Sequence, residues 1–249
     1  MNANPILGIL GGLGPMSGVY FCELLTEHTR AEQDSDHLDF LLSSRATTPD
    51  RTDFILGRSP QSPLPVMIDE VKRLIRGGAE LIAIPCNTAH YFYESMQAAS
   101  AIPMINIIEQ TVAFCQREGI GTVGVLATEG TILSGAYEEV CRKAGLTYLT
   151  PTEEDQAIVS HIIYDEIKKG QPADTDAFLA VCDRLLARGC ERLILGCTEL
   201  SLLKKEASLD ERFVDSLEVL ACASIRLCGK EPVGFDDALM RFCPVGLPS

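Results

Sequence analysis

Short apolar runs alternate with amphipathic stretches along this chain. The predicted strands cover residues 6–10, 39–44, 81–85, 122–126 and 192–196, and the predicted helices cover residues 17–30, 66–76, 137–144 and 174–188. Within the second of these helices, Val71, Leu74 and Ile75 share one face. Gly77 and Gly189 follow predicted helices, as glycine commonly does. Strands that alternate with helices favour an α/β fold with parallel sheets.

The second half of the chain repeats the order of elements in the first half. Gly8 and Gly124 lie within apolar runs and are 116 positions apart, while Cys86 and Cys197 follow apolar runs and are 111 positions apart. Offsets this similar indicate an internal repeat. We therefore expect two pseudo-symmetric lobes, each a mostly parallel sheet flanked by helices, with the active site in the cleft between them.

The chain is expected to cross between these lobes twice, near residues 101–106 and 214–216. The first lobe would then comprise residues 1–104 together with a returning C-terminal helix in 214–249. The second lobe would comprise residues 105–213.

Composition narrows the possible partners and the compartment. The formal net charge of −14 argues against bulk attraction to nucleic acid or to an anionic membrane. No apolar stretch approaches the roughly 20 residues that span a bilayer, and the run at 6–13 lacks the preceding basic residues of a signal peptide. The ten cysteines are scattered through predicted strands and helices rather than arranged as a disulfide scaffold. We expect a cytoplasmic protein.

Two cysteine motifs carry the candidate chemistry, IAIPCNTAH at 82–90 and LILGCTEL at 193–200. In each, an apolar strand ends in a cysteine and a threonine follows closely. Ligands of open α/β sheets bind at the carboxyl ends of the strands, where both thiols would lie. A helix that begins just after Cys86 would favour a thiolate or a substrate carboxylate. A single buried cysteine is usually inert, but packing alone hardly explains two at matched strand ends.

Three other readings compete. The turn at 11–15 follows a strand as in dinucleotide-binding folds, but Ser17 stands at the third glycine position and Pro15 interrupts the turn. Zinc could be bound by Cys86, His90, Cys197 and Glu199, although a Cys-x-x-x-His spacing is weakly specific. The same scaffold could also serve as a non-catalytic amino-acid sensor.

Five motifs between Ile6 and Leu200 together resemble the aspartate/glutamate racemase family: GILGGLGP, SRATTPDRT, CNTAH, LATEGTILSGAY and GCTEL. The wider superfamily also contains hydantoin racemases, maleate isomerases and arylmalonate decarboxylases. The aspartate racemase branch is most similar, because Glu199 follows GCT where glutamate racemases typically carry histidine. Leu13 stands where aspartate racemases often have methionine, so we expect an altered pocket wall and the same chemistry.

The resemblance implies racemisation of aspartate, with glutamate as a further substrate, by two bases and without a cofactor or metal. One of Cys86 and Cys197 would remove the α-proton as a thiolate, and the other would deliver a proton to the opposite face. It also implies a dicarboxylic amino acid as the small-molecule partner and a homodimer as the assembly.

The resemblance further implies substrate-binding roles. Arg51 and Lys168 match positions that clamp the distal carboxylate, with Lys169 as a competitor for the second position and solvated surface charge as the alternative for both. The other candidates are a set of polar residues that either contact the substrate or cap helices: Asn87, Thr88, Thr128, Thr131 and Thr198. His90 could be structural or catalytic. Glu199 could orient or deprotonate Cys197, yet a carboxylate also raises the pKa of a thiol, so its net effect stays open.

Overall fold

The computed structural model describes residues 4–245 and contains two four-stranded sheets. The strands are β1 Leu7–Gly11, β2 Phe40–Ser44, β3 Leu81–Ala83, β4 Met104–Ile105, β5 Thr122–Leu126, β6 Thr147–Leu149, β7 Arg192–Leu195 and β8 Phe213–Asp215. The α-helices are α1 Pro15–Glu27, α2 Arg51–Ile55, α3 Leu64–Arg76, α4 Tyr93–Ala98, α5 Ile107–Arg117, α6 Glu129–Leu133, α7 Ala136–Ala144, α8 Glu153–His161, α9 Thr175–Ala187, α10 Thr198–Ala207, α11 Ser216–Leu227 and α12 Asp237–Arg241.

The two sheets have the same topology. Their strand orders are β2-β1-β3-β4 and β6-β5-β7-β8, and all neighbours are parallel. The registers also correspond, since Gly8 pairs with Ile82 and Gly124 pairs with Leu193. These are the offsets of 116 and 111 positions found in the sequence. The predicted α/β fold with two related lobes is confirmed.

The two glycines that marked the repeat allow the turn after a helix to pack closely on a strand of each sheet. A Cβ atom at Gly8 would lie 2.8 Å from the Cβ of Ala79, and one at Gly124 would lie 2.7 Å from Leu193 Cδ2 and 2.9 Å from the sulfur of Cys190. These distances are shorter than real contacts, so a larger residue would push its neighbours away from the strand. The same packing constraint therefore occurs in both lobes.

Three buried clusters form the core. The largest joins the two sheets and includes Phe21, Val112, Leu217 and Leu220, from α1, α5 and α11. A second covers the outer face of the second sheet with side chains of α9 and α10, and a third covers the outer face of the first sheet with those of α3 and α4. Helices α1, α5 and α11 therefore pack against side chains from both sheets.

The structure adds elements that the sequence pattern missed. The supposed crossings contain edge strands, β4 and β8, and β6 was also not predicted because each of these has only two or three residues. The predicted lobe boundaries after residues 104 and 213 fall inside β4 and β8 and stay a prediction. Residues 1–3 and 246–249 of that assignment lie outside the described residues.

Between residues 4 and 245, no helix is long and apolar enough to cross a membrane. All ten cysteines fall in this range, and each is a free thiol in the structure. Cys115, Cys141, Cys182 and Cys222 are buried in helices, as expected for small apolar side chains.

Candidate active site

Ten of the eleven predicted site residues line one small cavity. The eleventh, Thr131, lies behind Thr88 and Thr128. The cavity has a volume of about 10 Å³, which is room for about one water molecule. The structure therefore brings the predicted residues together in a closed state, and their individual roles stay predictions.

The two thiols reach the cavity from equivalent strands. Cys86 follows β3 and Cys197 follows β7, the third strand of each sheet, and both are 5% exposed. Cys197 directly precedes the ten-residue helix α10. Cys86 is followed instead by a 3₁₀ segment, Thr88–Phe92, so the predicted regular helix after Cys86 is replaced by a tighter turn with a poorer hydrogen-bond geometry. The helix-dipole argument therefore applies to Cys197 more than to Cys86.

The charges beside the two thiols differ. Burial raises the pKa of Cys86, while the Arg51 guanidinium opposes that rise. Burial also raises the pKa of Cys197, and there the Glu199 carboxylate raises it further, because Cys197 donates a hydrogen bond to Glu199 Oε2 at 3.0 Å. Glu199 thus favours the protonated form of Cys197. The sequence had left the sign of this effect open.

His90 is a structural residue beneath Cys86. Its Nε2 accepts a hydrogen bond from the backbone N–H of Ile107 at 3.2 Å, so the proton is on Nδ1, which donates to the Cys86 carbonyl at 2.8 Å. Both ring nitrogens are therefore used by the backbone. Within the described part of the chain, no group of three or more His, Cys, Asp or Glu side chains has the arrangement of a metal site. In this conformation, both His90 ring nitrogens are engaged by backbone groups.

Burial lowers the pKa of His90 to about 4. Because the unfolded chain takes up this proton near pH 6.5, the contribution of neutral His90 to stability is present above pH 6.5 and is lost as the pH falls to about 4. The loss amounts to about 3 kcal/mol at 1.36 kcal/mol per pKa unit. We expect urea unfolding to give a free energy of unfolding for the wild type and for His90→Gln at each pH. The difference between the two free energies should shrink by about this amount as the pH falls from 6.5 to about 4. Parallel pH profiles would contradict this assignment.

Asn87 is fixed by a buried hydrogen-bond chain. Tyr137 donates to Asn87 Oδ1 at 2.8 Å, Asn87 Nδ2 donates to Ser216 Oγ at 3.0 Å, and Ser216 donates to the Leu195 carbonyl at 2.7 Å. This chain connects the segment after β3 with the strand that leads to Cys197. Asn87 therefore has both ends of its amide occupied, and the residue lines the cavity.

The predicted threonines divide into caps and cavity hydroxyls. Thr128 caps α6 by accepting from the Thr131 amide, and the hydroxyls of Thr88, Thr128 and Thr131 lie 2.8–3.0 Å apart in a triangle. Thr198 donates to the Pro85 carbonyl at 3.2 Å, which ties the two cysteine segments together. Thr88 and Thr128 line the cavity, whereas Thr131 lies behind them.

The two predicted cations close one side of the cavity. Arg51 begins α2, is 6% exposed, and donates to the Leu13 and Pro49 carbonyls at 2.6 and 3.1 Å. Lys168 Nζ lies 3.6 Å from Glu199 Oε1 and 4.7 Å from the centre of the Tyr164 ring. Burial lowers the pKa of Lys168, but the Glu199 carboxylate and neighbouring groups more than reverse this, so its pKa is raised and it stays charged. Lys169 instead pairs with Asp165 on the surface.

Three residues of the cavity were missed from the sequence, namely Asp50, Thr52 and Tyr164. Asp50 and Thr52 flank Arg51 in the motif SRATTPDRT, so that motif could have identified them from the sequence. Tyr164 lies one helical turn before Lys168, in a π-helical segment, Ile162–Glu166. Such segments are uncommon and often occur at functional sites, but periodicity in the sequence does not reveal them.

The family model for Asp/Glu/hydantoin racemases matches residues 10–223. The chain belongs to this family. Among curated proteins, the broad specificity amino-acid racemase RacX of Bacillus subtilis (strain 168) is 27% identical over 224 residues, covering 88% of this chain and 96% of RacX.

Solved structures of racemases are also similar to this family member. Aspartate racemase of Picrophilus torridus has a TM-score of 0.77 at 29% identity, covering 92% of this chain and 96% of that one. An aspartate racemase homologue of Pyrococcus horikoshii OT3 has a TM-score of 0.74 at 26% identity, with coverages of 90% and 99%. Glutamate racemase of Francisella tularensis, solved with D-glutamate, shares the fold at 22% identity and a TM-score of 0.61.

Proposed function

We propose that this racemase-family chain interconverts L- and D-aspartate, and also accepts glutamate, by a cofactor-independent mechanism with Cys86 and Cys197 as the two proton-transfer groups. The observation that carries this proposal is the arrival of two thiols at one buried cavity from equivalent strands of two related sheets. Inversion of a carbon centre without release of the substrate requires one acid or base on each face. Two related lobes supply one thiol each.

In the proposed reaction, one thiolate removes the α-proton and the electron pair of the C–H bond is delocalised into the α-carboxylate. The opposite thiol then donates its proton to the other face, so the two cysteines exchange protonation states. The α-proton is a weaker acid than a thiol by on the order of 10 pKa units, which corresponds to roughly 14 kcal/mol. Hydrogen-bond donors around the carboxylate, such as Thr88, Thr128 and the first amides of α10, would offset this cost.

Charge favours Cys86 as the thiolate in the free protein. Arg51 stabilises an anion at Cys86, whereas Glu199 accepts a hydrogen bond from the thiol of Cys197. When only one of the two thiols is ionised, the remaining proton should therefore be on Cys197.

Alkylation tests this assignment. Because burial raises the pKa of both thiols, reaction with iodoacetamide should be slow at pH 7 and accelerate about tenfold per pH unit. Peptide mapping should find Cys86 modified before Cys197, with exposed Cys243 as a reference for reagent activity, and aspartate should protect both. Faster labelling of Cys197 would reverse the assignment.

Substrate entry requires the cavity to open, because a space for about one water cannot hold an amino acid. Lys168 belongs to the 3₁₀ segment Ile167–Lys169, which Gly170 ends in a left-handed conformation. We propose that movement of this segment separates Lys168 from Glu199, and that the distal carboxylate of the substrate becomes the new partner of Lys168 and Arg51. In the closed state, the ion pair of Lys168 and Glu199 would then occupy the space that the substrate takes in the open state.

The direct test is incubation of L- and D-aspartate with the purified protein in deuterated water, read by NMR and chiral chromatography after dialysis against a chelator. Both enantiomers should exchange the α-proton and reach the same mixture. Loss of carbon dioxide would indicate a decarboxylase of the same superfamily, and binding without exchange would indicate an amino-acid sensor. A homodimer in the cytoplasm is proposed from the resemblance, and light scattering tests the assembly.

A further inference from the structure

A groove with a volume of about 700 Å³ lies beside the catalytic cavity, along α6, α8 and the π-helical segment Ile162–Glu166. We call it the outer groove. Of the residues between 4 and 245, Tyr164 alone lines both spaces. The side chain of Tyr164 therefore separates the catalytic cavity from the outer groove.

Tyr164 lies at the end of the catalytic cavity where the distal carboxylate is proposed to bind. The centre of its ring is 4.7 Å from Lys168 Nζ, a distance at which a cation and an aromatic ring attract each other. Its hydroxyl interacts with the side chains of Asp50 and Thr52, which flank Arg51. Because Tyr164 is a neighbour of both proposed carboxylate-binding cations, the side chain of a bound substrate would point towards its ring.

The segment that carries Tyr164 is held more firmly than the segment that carries Lys168. Ile162 and Ile163, which precede Tyr164, are buried in the core cluster of α9 and α10, whereas no residue of Ile167–Lys169 is buried. Segments with few buried apolar contacts open most easily. When Ile167–Lys169 moves to admit a substrate, Tyr164 should therefore stay in place.

The wall that Tyr164 forms is bulky and uncharged. Burial raises the pKa of its hydroxyl, and the Lys168 ammonium opposes that rise without reversing it. The phenol therefore stays neutral and does not repel a carboxylate. Because the ring is rigid and the interior is closely packed, a substrate with additional methylene groups would collide with it.

We infer that Tyr164 is a specificity-determining residue, which limits the substrate to dicarboxylic amino acids with short side chains by closing the catalytic cavity against the outer groove. This inference rests on the proposed thiol mechanism and deepens it by assigning the limit on side-chain length to one residue. Truncation of Tyr164 would join the two spaces, and the outer groove would then receive a longer side chain.

Aspartate, glutamate and 2-aminoadipate form a matched series of probes, because each is one methylene longer than the one before. Exchange of the α-proton in deuterated water gives kcat/KM for all three. We expect Tyr164→Ala to raise the ratio of kcat/KM for 2-aminoadipate to that for aspartate at least about tenfold, the effect of one methylene in a fitted pocket. Tyr164→Phe keeps the ring and should leave this ratio within about twofold of wild type.

Leu133→Ala is the matched control. Leu133 lines the outer groove and is 64% exposed, but it does not line the catalytic cavity. This variant should leave the ratio for 2-aminoadipate within about twofold of wild type, as expected for a surface substitution.

Tyr164→Trp tests the inference in the opposite direction and remains informative if Tyr164→Ala does not fold, which circular dichroism would show. The larger ring should narrow the cavity and lower the ratio of kcat/KM for glutamate to that for aspartate about tenfold.

The inference would be overturned by a smaller rise in folded Tyr164→Ala, by an equal rise in Leu133→Ala, or by an unchanged glutamate ratio in Tyr164→Trp. Wild-type turnover of 2-aminoadipate at the rate of aspartate would also overturn it. If the wild type exchanged none of the three amino acids, the racemase proposal itself would fail, and this inference would fail with it.

Discussion

Replacing either Cys86 or Cys197 by serine should lower the rate of aspartate racemisation by about 10²- to 10⁴-fold, the usual contribution of a general acid or base. Serine keeps the shape of the side chain, but its hydroxyl is a far weaker acid than a thiol. The face that loses its thiol therefore loses most of its capacity for proton transfer. Chiral chromatography of timed samples measures this loss.

A third serine variant shows whether the effect is specific to the cavity. Cys190 is also buried, but it packs against Gly124 behind the second sheet. Cys190→Ser should keep the racemisation rate within about twofold of wild type once folding has been verified by circular dichroism. If Cys86→Ser or Cys197→Ser were as active as Cys190→Ser, the corresponding thiol would have no part in catalysis.

Arg51→Met should lower kcat/KM for aspartate roughly 30- to 1,000-fold, which corresponds to a loss of about 2–4 kcal/mol in transition-state stabilisation. The guanidinium is buried beside Cys86, and its removal takes away both a partner for the distal carboxylate and the charge that favours the Cys86 thiolate. The pH at which activity appears should consequently rise, a change that loss of substrate binding alone would not cause. Steady-state kinetics at several pH values separates the two effects.

Arg58 provides the control for this substitution. It lies seven positions further along the chain and pairs with Glu129 on the surface, where an ion pair has little energetic effect. Arg58→Met should leave kcat/KM and its pH profile unchanged. If Arg51→Met racemised aspartate at the wild-type rate, Arg51 would not bind the distal carboxylate, and that carboxylate would have to bind elsewhere.

The repeat was readable from sequence because the same physical constraints occur twice. An apolar strand must end where its cysteine enters the cavity, and a glycine must stand where the turn after a helix packs closely on a strand. These requirements fix residue types at fixed offsets, so Gly8, Gly124, Cys86 and Cys197 identified both lobes and the site between them.

Features that depend on contacts between distant segments could not be predicted from the sequence. The tautomer of His90 is set by the Ile107 amide at the start of α5, and the orientation of Asn87 is set by Tyr137 and Ser216. The sign of the Glu199 effect required the distance between its carboxylate and the Cys197 sulfur. Each is a property of tertiary packing, which local patterns do not encode.

The central claim is that each thiol serves one face of the α-carbon, and stereospecific exchange in the two serine variants tests it most directly. In deuterated water, each variant should still exchange the α-proton of one enantiomer, because its remaining thiolate can remove and return a proton on its own face. Cys86→Ser and Cys197→Ser should show opposite preferences for L- and D-aspartate. Exchange of the same enantiomer by both variants would contradict the account, because the two thiols would then lie on one face of the substrate.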